Sequence, residues 1–203
     1  MSLQRLVLTK TELPPNGELK LEAAPRAIWV ESGDLQANGM LLGTHSGAFC
    51  SGSCTFQSSA AATVLRFEVL QADQAENGEV LLDEAIEFDP AASLLRLDTV
   101  TFPPGATAYR HIHNGTGHRY LYTGVLEVVS DHGAEVMETG SAWYEPLNSP
   151  VTANASNEIT TAFVRCMIVP SSYEGKSTFK LMDPADGEKP RRQVTHRFFD
   201  APL

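Results

Sequence analysis

Short runs that alternate apolar and polar residues, or that are rich in β-branched residues, recur along this chain at close intervals. They span residues 26–30, 62–70, 94–102, 120–129 and 163–169. A period of two predicts strands with one buried face, and helical periodicity is nearly absent. Glycine, proline, asparagine, aspartate or serine separates most of these runs, as expected of turns. The pattern therefore predicts an all-β protein, either a sandwich or a barrel.

The alternation is interrupted near residues 71–78, where alanine and polar residues replace the apolar positions, and we expect a linker there. Residues 28–35 before this break loosely echo residues 120–126 after it, each as a hairpin with a glycine at the bend. The echo suggests duplication of one barrel unit. The expected organisation is an N-terminal β half at residues 1–75, a C-terminal barrel at 79–182 and a C-terminal arm at 183–203.

Composition limits the partners that we expect. The 203 residues carry a formal charge of −10, with acidic residues spread along the chain. This distribution argues against a nucleic-acid groove or an anionic membrane surface and favours a small-molecule ligand. Residues 1–17 lack the apolar run of a signal peptide, and no later run is long enough to span a bilayer, so we expect a cytoplasmic protein.

The cysteines are three in number, Cys50, Cys54 and Cys166. The first two are separated by three residues, a spacing that suits a metal clip or a redox pair. Because no second clip lies nearby, unpaired thiols in a reducing compartment are the favoured interpretation.

Two histidines supply the strongest chemical signal. His111 and His113 lie two residues apart in a predicted strand, between the turn at 103–105 and the turn at 115–117. Alternate side chains of a strand project from the same face, so both imidazoles point into one small volume. That arrangement can hold a metal ion.

The spacing of glycines around this pair resembles the first motif of the cupin superfamily. Five residues separate Gly105 from His111, three separate His113 from Gly117, and six separate Gly117 from Gly124. Gly117 stands where that family usually has a metal-binding glutamate. The resemblance extends over about residues 94–170.

A second cupin motif is weaker in this chain. Five residues separate Gly140 from Pro146, and Val151 then stands where the family has a histidine ligand. The resemblance implies a cupin barrel, which is a double-stranded β-helix or jelly roll. It also implies a bicupin whose N-terminal half has degenerated, and it identifies a fold better than a reaction.

A transition metal needs at least three protein ligands, so another group must join the pair. One candidate is His118, whose ring turns inward if a β-bulge lies at 115–117. The other is Glu145, which would complete a two-histidine, one-carboxylate triad. Without a bulge, strand parity places Arg119 beside Gly117 and puts His118 on the opposite face. The competing interpretation of His118 is a surface histidine, and that of Glu145 is a solvent-exposed residue at the end of a strand.

The substrate-binding candidates are Arg119, Tyr120 and Trp143. An inward guanidinium can pair with a substrate carboxylate, and aromatic rings can line a pocket. The alternative for Arg119 is an exposed arginine on the barrel wall, and the alternative for the aromatic residues is ordinary packing in the core.

Two functional hypotheses follow. In the first, the C-terminal barrel binds a divalent transition metal (Fe, Mn, Ni or Zn) and acts as a small-molecule oxygenase, isomerase or hydrolase. In the second, the barrel is a non-catalytic binder of a sugar or a carboxylate and lacks a metal. Whether the protein is an enzyme stays open. A homodimer is expected, because open barrels leave edge strands and residues 197–199 form an aromatic arm suited to a partner.

Overall fold

A computed structural model describes residues 2–203, and nearly all of their regular structure is β-strand. The all-β prediction is confirmed. Short 3-10 helices occur at Pro90–Ala92, Ser171–Tyr173 and Pro184–Glu188. None of the helices in this described range has the length and apolar character needed to cross a membrane.

The chain divides into two compact units. Unit 1 comprises the residues up to Leu97 together with Phe198–Leu203, and unit 2 comprises Asp98–Arg197. Two strands contain the boundaries, β10 (Ser93–Phe102) and β19 (Val194–Pro202).

Unit 1 contains two antiparallel sheets. Its strands are β1 (Ser2–Leu13), β2 (Glu18–Leu21), β3 (Arg26–Ser32), β4 (Leu35–Ala37), β5 (Met40–Leu42), β6 (Gly47–Cys50), β7 (Cys54–Gln57), β8 (Ala62–Leu70) and β9 (Glu79–Phe88). One sheet has the order β6-β3-β8-β1-β9 and the other the order β2-β7-β4-β5.

Unit 2 repeats this plan. Its strands are β11 (Thr107–His113), β12 (Thr116–Thr123), β13 (Val125–Ser130), β14 (Gly133–Glu138), β15 (Ala142–Glu145), β16 (Val151–Ala155), β17 (Thr161–Pro170) and β18 (Phe179–Leu181). The sheet orders are β15-β12-β17-β10-β19 and β14-β13-β16-β11-β18.

The two units share one strand order. The run β6-β3-β8-β1 corresponds to β15-β12-β17-β10, and β5-β4-β7-β2 corresponds to β14-β13-β16-β11. The bends match as well, because Gly33 and Gly124 both adopt left-handed backbone, with φ of 81° and 89°. Neither position has room for a Cβ atom, which explains the glycine echo in the sequence. The common order supports duplication of one barrel unit.

The expected domain boundaries differ from the observed ones. Residues 71–78 connect β8 to β9, and β9 pairs with β1 from Lys10↔Glu79 onward, so they form a loop within unit 1 rather than a linker. Similarly, residues 194–202 of the expected arm form β19. The expected strand at 120–129 is two strands, because the chain bends at Gly124. Polar composition marked the loop correctly, but it did not distinguish a loop from a linker.

The corresponding strand pairs of the two units differ in chemistry. In unit 1, Leu21 lies opposite Cys54 inside an apolar cluster that includes Val30, Leu35 and Phe56. In unit 2, the corresponding strand pair is β11 with β16, where His111 lies opposite Val151. At this strand pair unit 1 is apolar and unit 2 carries a histidine, while elsewhere unit 1 buries its own ion pairs of Arg26 and Arg66 with Glu68.

Candidate functional site

A register shift in β11 sets the direction of the histidine pair. The pairing of β11 with β16 slips between Ala108 and His111. Because a slip of one residue exchanges the two faces of a strand, Ala108, His111 and His113 all turn toward the interior. The Nε2 atoms of the two rings lie 3.2 Å apart, and both residues are buried.

The hydrogen bonds of His111 determine where its proton lies. Its Nδ1 is 2.7 Å from the carbonyl oxygen of Tyr109, which belongs to the irregular part of β11. A carbonyl only accepts, so Nδ1 carries the hydrogen. Burial lowers the pKa of His111 to about 4, and the ring is therefore neutral near pH 7. Its Nε2 consequently carries no hydrogen and presents a bare lone pair, which can act only as an acceptor.

His113 has the same protonation pattern for a different reason. Arg165 Nη1 lies 3.2 Å from His113 Nε2, and a guanidinium only donates, so this Nε2 is also bare. His113 Nδ1 lies 3.2 Å from Thr178 Oγ1, to which it donates. Burial, together with the charge of Arg165, holds the pKa of His113 well below its usual range. Two bare ring nitrogens therefore face each other beside one guanidinium.

Arg165 is held in place by Asp98. Its Nε and Nη2 donate to the two carboxylate oxygens at 2.8 and 2.9 Å, in the parallel arrangement that suits a guanidinium. Both side chains are buried. This bidentate pair leaves Nη1 free of the carboxylate and directs it at His113.

Arg119 is a second buried guanidinium on the same face. It lies directly opposite Arg165 on β17 and opposite Trp143 on β15. Its Nη2 is 2.7 Å from Glu145 Oε2, and Trp143 Nε1 donates to Glu145 Oε1 at 3.0 Å. Burial lowers the pKa of Arg119 to about 10, which leaves it protonated at neutral pH. Each guanidinium is thus matched by one carboxylate, and the cluster has no net charge.

The predicted inward turn of His118 is wrong. Strand β12 pairs with β15 and β17 in continuous register over Gly117–Tyr120, with no bulge before Leu121. Parity therefore places His118 and Tyr120 on the face opposite Arg119. There the ring of His118 packs edge-on against Tyr144, with centroids 5.7 Å apart. Neither His118 nor Tyr120 joins the histidine pair.

The residues present do not fit a resident transition metal. Val151 occupies one ligand position of the cupin motif and Gly117 another, and a Cβ atom on Gly117 would lie 2.0 Å from the Cys166 carbonyl oxygen. Glu145, the other predicted ligand, is held by Arg119 and Trp143. Nowhere in residues 2–203 do three histidine, cysteine, aspartate or glutamate side chains come together to hold an ion. Two histidines are fewer ligands than such a metal needs.

An aromatic side chain covers the histidine pair. Phe179, on β18, stacks on His111 with ring centroids 4.1 Å apart and meets His113 edge-on at 5.9 Å. The guanidinium of Arg191 lies 4.4 Å from the centre of the Phe179 ring. Phe179 is only partly buried, and it separates the rings from the outside on this side.

Sequence reasoning missed Asp98, Arg165, Thr178 and Phe179. A signal existed for the first two, because each is a charged residue within an otherwise apolar predicted strand, and buried charges are rare unless paired. Thr178 and Phe179 lie beyond the recognised motifs, and only the pairing of β18 with β11 brings them to the site.

No protein-family model matches this chain, and no curated protein matches its sequence. Several solved structures match its fold. One is the cupin 2 conserved barrel domain protein from Leptotrichia buccalis, 10% identical with a TM-score of 0.52, over 82% of this chain and 89% of that chain. Another is a deletion mutant of the oxalate decarboxylase from Bacillus subtilis, 14% identical with a TM-score of 0.63, over 92% and 73%. A third is the salicylate 1,2-dioxygenase from Pseudaminobacter salicylatoxidans, 10% identical with a TM-score of 0.58, over 79% and 70%.

Proposed function

We propose that this chain, which has the cupin fold, binds a small hydroxyl-bearing molecule in unit 2 without a resident metal ion. The observation that supports the proposal is the meeting of His111 Nε2, His113 Nε2 and Arg165 Nη1. A hydroxyl group donates one hydrogen bond and accepts others. It can therefore donate to His111 Nε2 and accept from the second hydrogen of Arg165 Nη1, whose first hydrogen is donated to His113 Nε2.

Charge balance favours a neutral ligand over an anionic one. Asp98 neutralises Arg165, and Glu145 neutralises Arg119. A ligand carboxylate would have to compete with these buried ion pairs, whereas a sugar or another polyol needs only hydrogen bonds. We therefore assign the ligand to the polyol class.

The comparison between the units supports a binding role. The strand pair that carries His111 in unit 2 carries Leu21 and Cys54 in unit 1, where both belong to an apolar cluster. The fold therefore does not itself require polar side chains at this strand pair. Buried polar groups cost free energy unless they are hydrogen-bonded, and a ligand hydroxyl would supply a donor for the lone pair of His111 Nε2.

Metal binding is the second candidate, because one observation favours it. The 3.2 Å separation of the Nε2 atoms fits two ligands on neighbouring positions of one ion, and the Nδ1–H of His111 is held by a carbonyl, as is usual for a ligating histidine. With two protein ligands the ion would be held weakly. The oxygenase, isomerase and hydrolase hypotheses belong to this candidate.

Thermal denaturation separates the two candidates. The protein is purified without a histidine tag and heated with a panel of monosaccharides and other polyols in the presence of EDTA, and then with divalent transition metals and no chelator. A ligand at about 100 times its Kd stabilises the folded state by about 2.7 kcal/mol. The variants are His111→Gln and Arg165→Met, and His132→Gln is the matched control because His132 is exposed.

We expect a polyol to raise the Tm in EDTA, and we expect both site variants to lose the shift while the control keeps it. Stabilisation by metal alone, lost in His111→Gln, would replace this proposal with the metal candidate. If neither class of compound shifts the Tm, both candidates fail.

A further inference from the structure

Two cysteines of unit 1 lie side by side where its two sheets meet. Cys50 ends β6, which belongs to the sheet containing β3 and β8, and Cys54 begins β7, which belongs to the other sheet. Only residues 51–53 separate them. Cys54 is 2% exposed within the apolar cluster, and Cys50 packs against that cluster while remaining partly exposed. The two thiols are close enough that Cys50 raises the pKa of Cys54.

The loop between the cysteines is fixed from two sides. Asn38 donates from Nδ2 to the Ser53 carbonyl at 3.1 Å and accepts from the Thr55 amide at 2.8 Å. On the other side, Arg26 Nη1 donates to the Gly52 carbonyl at 2.9 Å. Because the backbone on either side of Cys54 is held, little conformational entropy remains to be lost when the two sulfurs are joined.

The two thiols differ in their access to solution. Cys50 is the accessible one, so an oxidant from solution meets it first. Burial first, and the neighbouring Cys50 second, raise the pKa of the Cys54 thiol to about 12. These environments assign Cys50 as the attacking thiol and Cys54 as the resolving thiol.

We propose that Cys50 and Cys54 form a redox-active dithiol site that reacts with low-molecular-weight disulfides. The Cys50 thiolate attacks a small disulfide RSSR, forming a Cys50–SR mixed disulfide and releasing RS⁻. Cys54 then loses its proton and attacks Cys50 Sγ, which forms the protein disulfide and releases the second RS⁻. The two cysteines lose two electrons and two protons, and RSSR becomes two RSH. The new bond cross-links the two sheets of unit 1.

Cys166 provides a control within the same chain. It lies in unit 2, it is fully buried, and burial raises its pKa well above the usual value. A thiol in that environment is inert toward small disulfides. If the position of each cysteine in the fold decides its reactivity, Cys166 will therefore stay reduced when Cys50 and Cys54 are oxidised.

The test treats the native full-length protein with 2-hydroxyethyl disulfide and then alkylates it in denaturant. Intact mass and peptide mapping report the number and position of the remaining thiols. We expect the untreated protein to show three alkylatable thiols and the oxidised protein one, with a Cys50–Cys54 bridge that dithiothreitol reverses. Oxidation should also raise the Tm, because the cross-link restricts the unfolded chain.

Variants test the order of the two steps. Cys54→Ser should stop at the mixed disulfide on Cys50, and Cys50→Ser should react at least tenfold more slowly and form no bridge. Cys166→Ser should oxidise like the wild type. Retention of three thiols in the wild type, a bridge that includes Cys166, or faster trapping at Cys54 than at Cys50 would overturn the proposal. Mapping of the wild type alone decides the matter if a variant fails to fold.

Discussion

Removal of Asp98 should destabilise unit 2 strongly. Asp98 is 1% exposed and accepts both hydrogen bonds of its bidentate pair with Arg165. In Asp98→Ala the guanidinium stays buried without its carboxylate. It also loses the partner that directs Nη1 at His113, so the same change should abolish ligand binding at the histidine pair.

The expected size of the effect follows from the burial of the pair. Breaking a buried ion pair by removing one partner typically costs about 3–5 kcal/mol, because an uncompensated charge remains. Replacing both partners by apolar residues of similar size is often close to neutral. We therefore expect Asp98→Ala to lower the free energy of unfolding by about 3–5 kcal/mol, and Asp98→Leu/Arg165→Met to recover most of that loss.

Urea unfolding checks this prediction. Trp143 lies in unit 2 and Trp29 in unit 1, so a Trp29→Phe background allows the fluorescence of Trp143 to report on unit 2 alone. A loss below about 1 kcal/mol in Asp98→Ala, which is the range of exposed pairs, would refute the reasoning. So would a double variant that is no more stable than the single one.

Three further predictions concern the same unit. The pKa of His111 in the folded protein, about 4, lies below the ordinary value of 6.5, so the unfolded state binds more protons between these two pH values. The contribution of His111 to the free energy of unfolding should therefore be complete above pH 6.5 and fall toward pH 4. Urea titrations at a series of pH values should show a shallower fall in His111→Gln. Gly117→Glu should lower the Tm sharply and create no metal site, because the Cβ atom of the new side chain would meet the backbone of β17. A variant that folds like the wild type and binds a divalent metal would contradict this prediction. Phe179→Ala should speed the modification of His111 by diethylpyrocarbonate without unfolding unit 2, because it removes the aromatic ring that stacks on His111 at 4.1 Å. An unchanged rate would show that Phe179 does not shield His111 from the reagent.

The fold was largely predictable because strand patterns depend on local alternation. The expected strands at 62–70 and 94–102 correspond closely to β8 and β10. The domain boundary was not predictable, since the polar loop at residues 71–78 resembles a linker in composition, although the strand that follows it, β9, pairs along β1. Pairing between distant segments leaves little trace in local composition.

The site was predictable only where one strand carries it. His111 and His113 share β11, so their common direction followed from spacing. The direction of the His118 ring depended on whether a β-bulge lies at residues 115–117. The structure has none there, and the register slips between Ala108 and His111 and after Leu121. Asp98 and Arg165 act across strands 67 positions apart, which no motif joins.

The protonation of the two rings tests the account most directly. Long-range ¹H–¹⁵N NMR of the labelled protein at pH 7 distinguishes a protonated ring nitrogen from a bare one. We predict that His111 and His113 both carry the hydrogen on Nδ1 and that both Nε2 signals are those of bare nitrogens, unchanged by EDTA. A hydrogen on Nε2 of either ring, or Nε2 signals that shift when EDTA removes a bound ion, would contradict a metal-free site that awaits a hydroxyl donor.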